Sequence, residues 1–386
     1  MVSRADRSLF AQWWWTVDRF LLVGIIALMI GGVVLSFAAS PPVAERLNLD
    51  SYHFVKRQAI FLIPALAILF GTSLLSPRQV RRAALVLFAG AMLMLVLTLF
   101  VGAEVKGSRR WLDLFGFTVQ PSEFVKPAFV IICAFLFAEN ARRPDVPGNL
   151  FAILVLAMVG AVLVAQPDLG QTMLIVIVWC AMFFMAGLSW VWIGALSAAA
   201  IVGAVAAYFT FPHVANRIDR FIDPGSGDTY QVDMARDSFL RGGWLGRGPG
   251  EGTIKWILPD SHTDFTFAVA AEEFGIVVCI LLVIMFAFVV MRGFSHTLRQ
   301  EGDFERLATA GLVVLFGVQS IINMAVNVNL MPAKGMTLPF ISYGGSSLLA
   351  LALAMGFLLA LTRRRPEPTL AGSGIEFSHF AGHRAG

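Results

Sequence analysis

The chain has 386 residues, of which 58% are hydrophobic and 14% charged, with 33 Phe and a formal net charge of +4. A soluble fold of that length needs a polar exterior, and about a quarter of an ordinary soluble domain is charged. The composition therefore excludes a soluble enzyme, a nucleic-acid-binding module and a disordered chain, and leaves a polytopic membrane protein.

The amino-terminal segment, 1–17, carries Trp13, Trp14 and Trp15 and no small-residue cleavage site, which reads as an interfacial belt and not as a removable signal peptide. Apolar stretches of about twenty residues, the length a bilayer demands, then recur. They fall at roughly 18–39, 58–76, 83–102, 121–139, 149–166, 169–188, 190–211, 264–291, 308–330 and 343–362. Gln166-Pro167-Asp168-Leu169-Gly170 divides two of them as a tight turn, with Asp168 placed to cap the second. The expectation is an all-α integral membrane protein, a bundle of ten transmembrane helices within 18–365, with a large extracytoplasmic loop at about 212–263 between helices 7 and 8. The polar tail, 366–386, reads as disordered. With both termini inside, the inner segments hold fifteen Lys and Arg against seven on the short outer loops, a bias that sets both ends in the cytoplasm. Cys133, Cys180 and Cys279 lie in apolar runs and the histidines lack metal-ligand spacing, so neither disulfides nor a protein metal site is expected.

The outer segments are rich in polar and special residues, whereas the inner loops are short and basic; recognition is expected at the outer face. Lys106, Arg110 and Lys334, with cations between Arg217 and Lys255, could converge on a phosphate-bearing ligand, or could be snorkelling and solvated charges. Glu123 and Lys126 share a helix face at i, i+3. Each would cost ~2.5–3.5 kcal/mol unpaired at the bilayer centre, so they form a structural ion pair or face a cavity. The glycine-rich run from Arg241 to Gly252 either brings backbone close to a phosphate or is a surface loop needing positive φ; it lacks a P-loop ending. Asp264, where the long loop enters span 8, is either a general base or a cap of that helix, with Glu272 and Glu273 two turns on.

Several ordered motifs accompany these residues: Lys106-Gly107 with Arg110-Trp111, QPSEFVKP from Gln120, QPDLG from Gln166, Arg217-Ile218, Asp223-Pro224 and Tyr230-Gln231. LPDSHTDF from Leu258, Glu272-Glu273 with Gly275, and LPFISYGGSS from Leu338 follow. In these the chain resembles the SEDS family (shape, elongation, division and sporulation) from span 1 to Arg365, and the run from Ala333 to Pro339 is of the division type. The resemblance implies a peptidoglycan glycosyltransferase of the inner membrane at the division septum. Its substrates would be lipid II and a nascent glycan strand on undecaprenyl pyrophosphate. Its partners would be a class B penicillin-binding protein of the FtsI type and other divisome proteins. It also implies that Asp264 is catalytic and that Lys334 is required. On this reading Lys106, Arg110 and Lys334 bind the substrate, while Glu123, Lys126 and Glu273 support the cavity. No cofactor is assigned, although a divalent cation such as Mg or Mn could share the pyrophosphate charge. Many relatives carry Gln-Ser where this chain has Met234 and Ala235, and some are acidic at Trp256, so those places receive no role. A lipid II flippase and a non-catalytic divisome scaffold are the rival readings. The uncharged turn near Gly187 and the apolar spans 5 to 7 favour the enzyme over the flippase.

Overall fold

The computed structural model describes residues 8–105, 108–114, 116–143, 145–187, 190–210, 215, 219, 230–332 and 335–363. Five helices open the chain: α1 (Leu9–Thr16), α2 (Arg19–Ala39), α3 (Pro41–Arg46), α4 (His53–Ser73) and α5 (Pro77–Val101). A three-stranded antiparallel ribbon follows, β1 (Ala103–Val105), β2 (Ser108–Leu114) and β3 (Phe117–Val119), with β2 in the middle. Then come α6 (Pro121–Arg142), α7 (Gly148–Ala165), α8 (Leu169–Met185), α9 (Trp190–Thr210) and α10 (Tyr230–Gly242). A single 3-10 turn (Ile254–Trp256) leads to α11 (Thr266–Thr297), α12 (Asp303–Asn327) and α13 (Gly345–Thr362).

Local chemistry sets many of these ends. Ser76 and Gln79 form a reciprocal capping box ahead of α5, with Pro77 in the first turn. Asp18 caps α2 through the Leu21 N–H at 2.8 Å, and Asp168 caps α8 through the Gln171 N–H at 3.4 Å, as its place in the turn suggests.

Among the described residues eight helices are long and apolar enough to cross a membrane: α2, α4, α5, α6, α7, α11, α12 and α13. The sixth expected span falls on the 17-residue apolar helix α8 and the seventh on the uncharged 21-residue α9. The inner helices are α13, α12 and α6, with 83, 72 and 61% of their most apolar stretch buried, against 22% for α7. The outer helices expose large apolar side chains such as Val86, Phe100 and Leu281, as a lipid-facing surface should.

The structure adds detail to two of the outer segments. The connection after span 3 is the β-ribbon, and the described part of the long loop, 230–263, holds α10 and the 3-10 turn. α10 packs backbone to backbone on α11: a Cβ on Gly242 would sit 1.9 Å from the Ala271 carbonyl oxygen.

α11 is broken at Gly275, whose φ of 81° and ψ of 176° are not helical. Inside a bilayer the freed backbone groups need partners, and residues 243–248 supply them. Arg247 N–H donates to the Glu272 carbonyl (3.0 Å) and Gly248 N–H to that of Glu273 (3.0 Å), while Ile276 N–H donates to Gly243 O (2.9 Å) and Val277 N–H to Trp244 O (3.2 Å). A Cβ at Gly275 would lie 2.3 Å from Trp244 O. Gly275→Ala is therefore expected to lose ~1–3 kcal/mol from backbone strain alone, with the clash in addition. Thermal unfolding in detergent reads the difference, and an unchanged midpoint would mean the break relaxes freely.

At the opposite end α1 is fastened down. Trp13 Nε1 donates to Ser73 Oγ at 2.8 Å, and Arg19 lies over the rings of Trp14 and Trp15. Asp18 accepts from Arg292 Nη2 at 2.6 Å, and His296 Nε2 lies 2.6 Å from the same oxygen, joining α2 to the last turns of α11.

Candidate active site

Asp264 lies one residue before the N-cap of α11, which is Phe265 and makes no side-chain capping bond. The capping alternative for Thr263 or Asp264 is thereby replaced by a different arrangement. The Asp260 carbonyl gathers the N–H groups of Thr263 (3.1 Å), Asp264 (3.0 Å) and Phe265 (3.3 Å) into a tight turn. Arg46 Nη2 donates to Leu258 O (3.0 Å) and Tyr343 N–H to His262 O (2.9 Å), fixing the segment that leads into it. The carbonyl of Asp264 itself accepts from Asn323 Nδ2 (3.0 Å) and Asn327 Nδ2 (2.9 Å).

Across from it runs the segment entering at Gly335. A Cβ on Gly335 would stand 3.6 Å from Asp264 Oδ2, so the carboxylate faces this segment. Gln231, Asp264, Asn323, Gly335 and Met336 line a cavity of about 30 Å³, room for little more than a water molecule. Beneath it, Ala235, Ile254, Leu258, Phe265, Ala268 and Val326 form a small apolar core that binds α10, α11 and α12 together.

Glu123 and Lys126 form the expected pair, 2.9 Å apart and both buried. Lys126 Nζ also donates to Gln319 Oε1 (3.1 Å), and Gln171 Nε2 to Glu123 Oε1 (2.9 Å), so α6, α8 and α12 meet there. Gln319 Nε2 in turn donates to Thr337 O (3.2 Å), which links the pair to the segment facing Asp264.

Other candidates sit differently from the sequence reading. Arg110 uses both Nη atoms on the 166–168 turn, donating to Pro167 O at 2.5 Å and lying 3.6 Å from Asp168 Oδ1. Burial pushes the Asp168 carboxyl up, and the Arg110 guanidinium opposes that shift. Lys255 does not join a set of free cations; it is buried against Glu273. Glu273 accordingly holds the glycine-rich loop, accepting also from Gly250 N–H at 2.9 Å, and does not line the Asp264 cavity. Glu272 accepts from the N–H groups of Thr253 (2.6 Å), Ile254 (2.8 Å) and Lys255 (3.2 Å). The loop that could have cradled a phosphate thus cradles two carboxylates of its own chain. Lys106, Lys334, Arg217-Ile218 and Asp223-Pro224 lie outside the described residues. Among the described residues no group of three or more His, Cys, Asp or Glu is placed to hold a metal ion.

The sequence reading passed over Gln319, Asn323 and Asn327. Their signal was available: three amides at i, i+4 and i+8 on one face of an apolar span.

The family model for FtsW, RodA and SpoVE, described as cell cycle protein, matches residues 19–367. The chain belongs to this family. A relative in Caulobacter vibrioides, named as a probable peptidoglycan glycosyltransferase FtsW, is 46% identical over 365 residues, 94% of each chain. One with the same name in Methylococcus capsulatus is 33% identical and covered over 96% of both chains. Of solved structures, a chain from a peptidoglycan synthase complex that coordinates polymerization and crosslinking superposes with a TM-score of 0.73. It is 27% identical, and the match covers 90% of this chain and 97% of that one. The rod shape determining protein RodA of Thermus thermophilus matches with a TM-score of 0.66 at 26% identity over the same shares. The FtsW/RodA/SpoVE membership agrees with the SEDS motifs, and this member is a multi-helix membrane protein of the division machinery.

Proposed function

We infer that this chain is a peptidoglycan glycosyltransferase of the FtsW type, polymerising lipid II into β-1,4-linked glycan. The observation that carries the reading is the shared lining of one cavity by Asp264, Gly335 and Met336, which brings the LPDSHTDF motif and the division-type run together. The names of the relatives support the reaction class. The charge bias of the loops supports both termini in the cytoplasm and the cavity at the extracytoplasmic face.

In the proposed step Asp264 accepts the proton of the acceptor sugar's 4-hydroxyl as that oxygen attacks the donor's anomeric carbon. The bond to the undecaprenyl pyrophosphate breaks and the configuration inverts. General-base assistance of this kind contributes typically ~10²–10⁴-fold. Lys334 and Lys106 are the proposed cations for the departing pyrophosphate. Arg110, spent on the 166–168 turn, acts by holding the wall. Glu123–Lys126 stiffens the opposite wall through Gln319.

Reconstitution in lipid with the cognate class B penicillin-binding protein, followed by resolution of lipid II products on a gel, tests the reading. Glycan polymer is the expected outcome. Lipid II crossing the bilayer with no polymer would replace it with the flippase reading. Chelator titration in the same assay reads how much pyrophosphate charge Mg or Mn carries. Arg110→Ala is expected to reduce polymerisation about tenfold by loosening the turn, with faster proteolysis at 166–168 as its signature. Equal loss without loosening would return Arg110 to the substrate.

A further inference from the structure

We propose that Gln319, Asn323 and Asn327 form an amide ladder on α12 that positions Asp264 against the segment 335–337, with Asn323 as the decisive rung. The proposal rests on the reading of Asp264 as the base. The three residues are four apart, so they stand in one row about 6 Å from rung to rung. All three are buried, at 1, 2 and 0% exposure. An amide carries two N–H donors and an accepting oxygen, and its burial in an apolar span is costly unless these are used.

Here they are used in a particular way. Asn323 spends its Nδ2 on two carbonyls belonging to opposite sides of the cavity, Asp264 O at 3.0 Å and Met336 O at 2.5 Å. Asn327 Nδ2 gives Asp264 O a second donor at 2.9 Å, and its Oδ1 accepts Ala268 N–H at 3.1 Å in the first turn of α11. Gln319 holds Thr337 O at 3.2 Å and takes the Lys126 ammonium at 3.1 Å. Amides serving only to glue helices would bond the backbones of neighbouring helices. These send four bonds to the two irregular segments that meet at the Asp264 carboxylate. The ladder fixes the spacing between those segments and ties it to the Glu123–Lys126 pair, making Asn323 a positioning residue.

The test uses Asn323→Leu, close in size and without donors, and Asn327→Leu, which leaves Asp264 O one donor. Two readouts are taken on the full chain in lipid nanodiscs. The first is backbone hydrogen exchange; Asn323→Leu is expected to speed exchange at least ~10-fold in both 260–266 and 335–338 while 250–255 stays as protected as in wild type. The second is polymerisation with the partner transpeptidase. There Asn323→Leu should lower kcat ~10²-fold, the scale of a 1 Å misplacement, with KM for lipid II within about threefold. Asn327→Leu should show a smaller change of the same kind. Unchanged exchange in both segments overturns the proposal, as does a kcat that falls only in step with the folded fraction. If wild type makes no polymer, the glycosyltransferase reading fails while the exchange data still decide the ladder.

Discussion

Asp264→Asn is expected to abolish glycan polymerisation, by ~10²–10⁴-fold, while leaving the fold and its thermal unfolding intact. The substitution keeps the shape of the side chain. The backbone contacts that place the residue are untouched by it: the Asp260 carbonyl on its N–H, and Asn323 and Asn327 on its own carbonyl. What disappears is the ability to take a proton. The measurement is product length on a gel alongside lipid II binding to the same preparation. Retained binding with no polymer assigns the proton to Asp264, whereas full polymerisation by the variant would remove the base from this position. The same variant separates the scaffold reading, in which the carboxylate is dispensable.

Lys255→Ala carries the largest expected loss of stability. Lys255 and Glu273 form a buried pair whose side chains are 4 and 1% exposed. Removing one partner leaves a charge in a place water does not reach, a change that typically costs ~3–5 kcal/mol. The Gly250 N–H alone remains to hold the stranded carboxylate. The double variant Lys255→Met with Glu273→Gln removes both charges and should recover most of the loss. Unfolding midpoints of the two variants decide it; equal losses would mean that the charges themselves are immaterial and that the stem of Lys255 matters.

The parts of the molecule legible in its sequence are those governed by nearest neighbours along a helix or by transfer into lipid. Hydropathy located the helices because a span must hide its own backbone, and the spacing of Glu123 and Lys126 foretold their pairing. The turn at Asp168 was readable from its own residues. Contacts between distant segments were not. Lys255 looked like a free loop cation until Glu273, on a helix 18 residues further on, proved to face it. Arg110 looked available until the 166–168 turn, 57 residues away, claimed it. The break at Gly275 was hidden because a lone glycine within a long apolar span does not by itself end a helix pattern, and only the inserted 243–248 backbone reveals why a glycine stands there. At the site, Asp264 was singled out by its residue type and motif, but the amides that hold it read as ordinary members of a span.

The splice between the glycine-rich loop and α11 has a practical side. Four backbone bonds and two carboxylates count off residues 243–255 one by one against 272–277, so a single added residue would put every partner out of step. Fluorescent or affinity tags inserted there would undo the partners of the break in α11 however flexible the loop looks on paper. The short 298–302 turn at the other end, where Leu298 is 86% exposed, is the better place to mark this protein for imaging in a dividing cell.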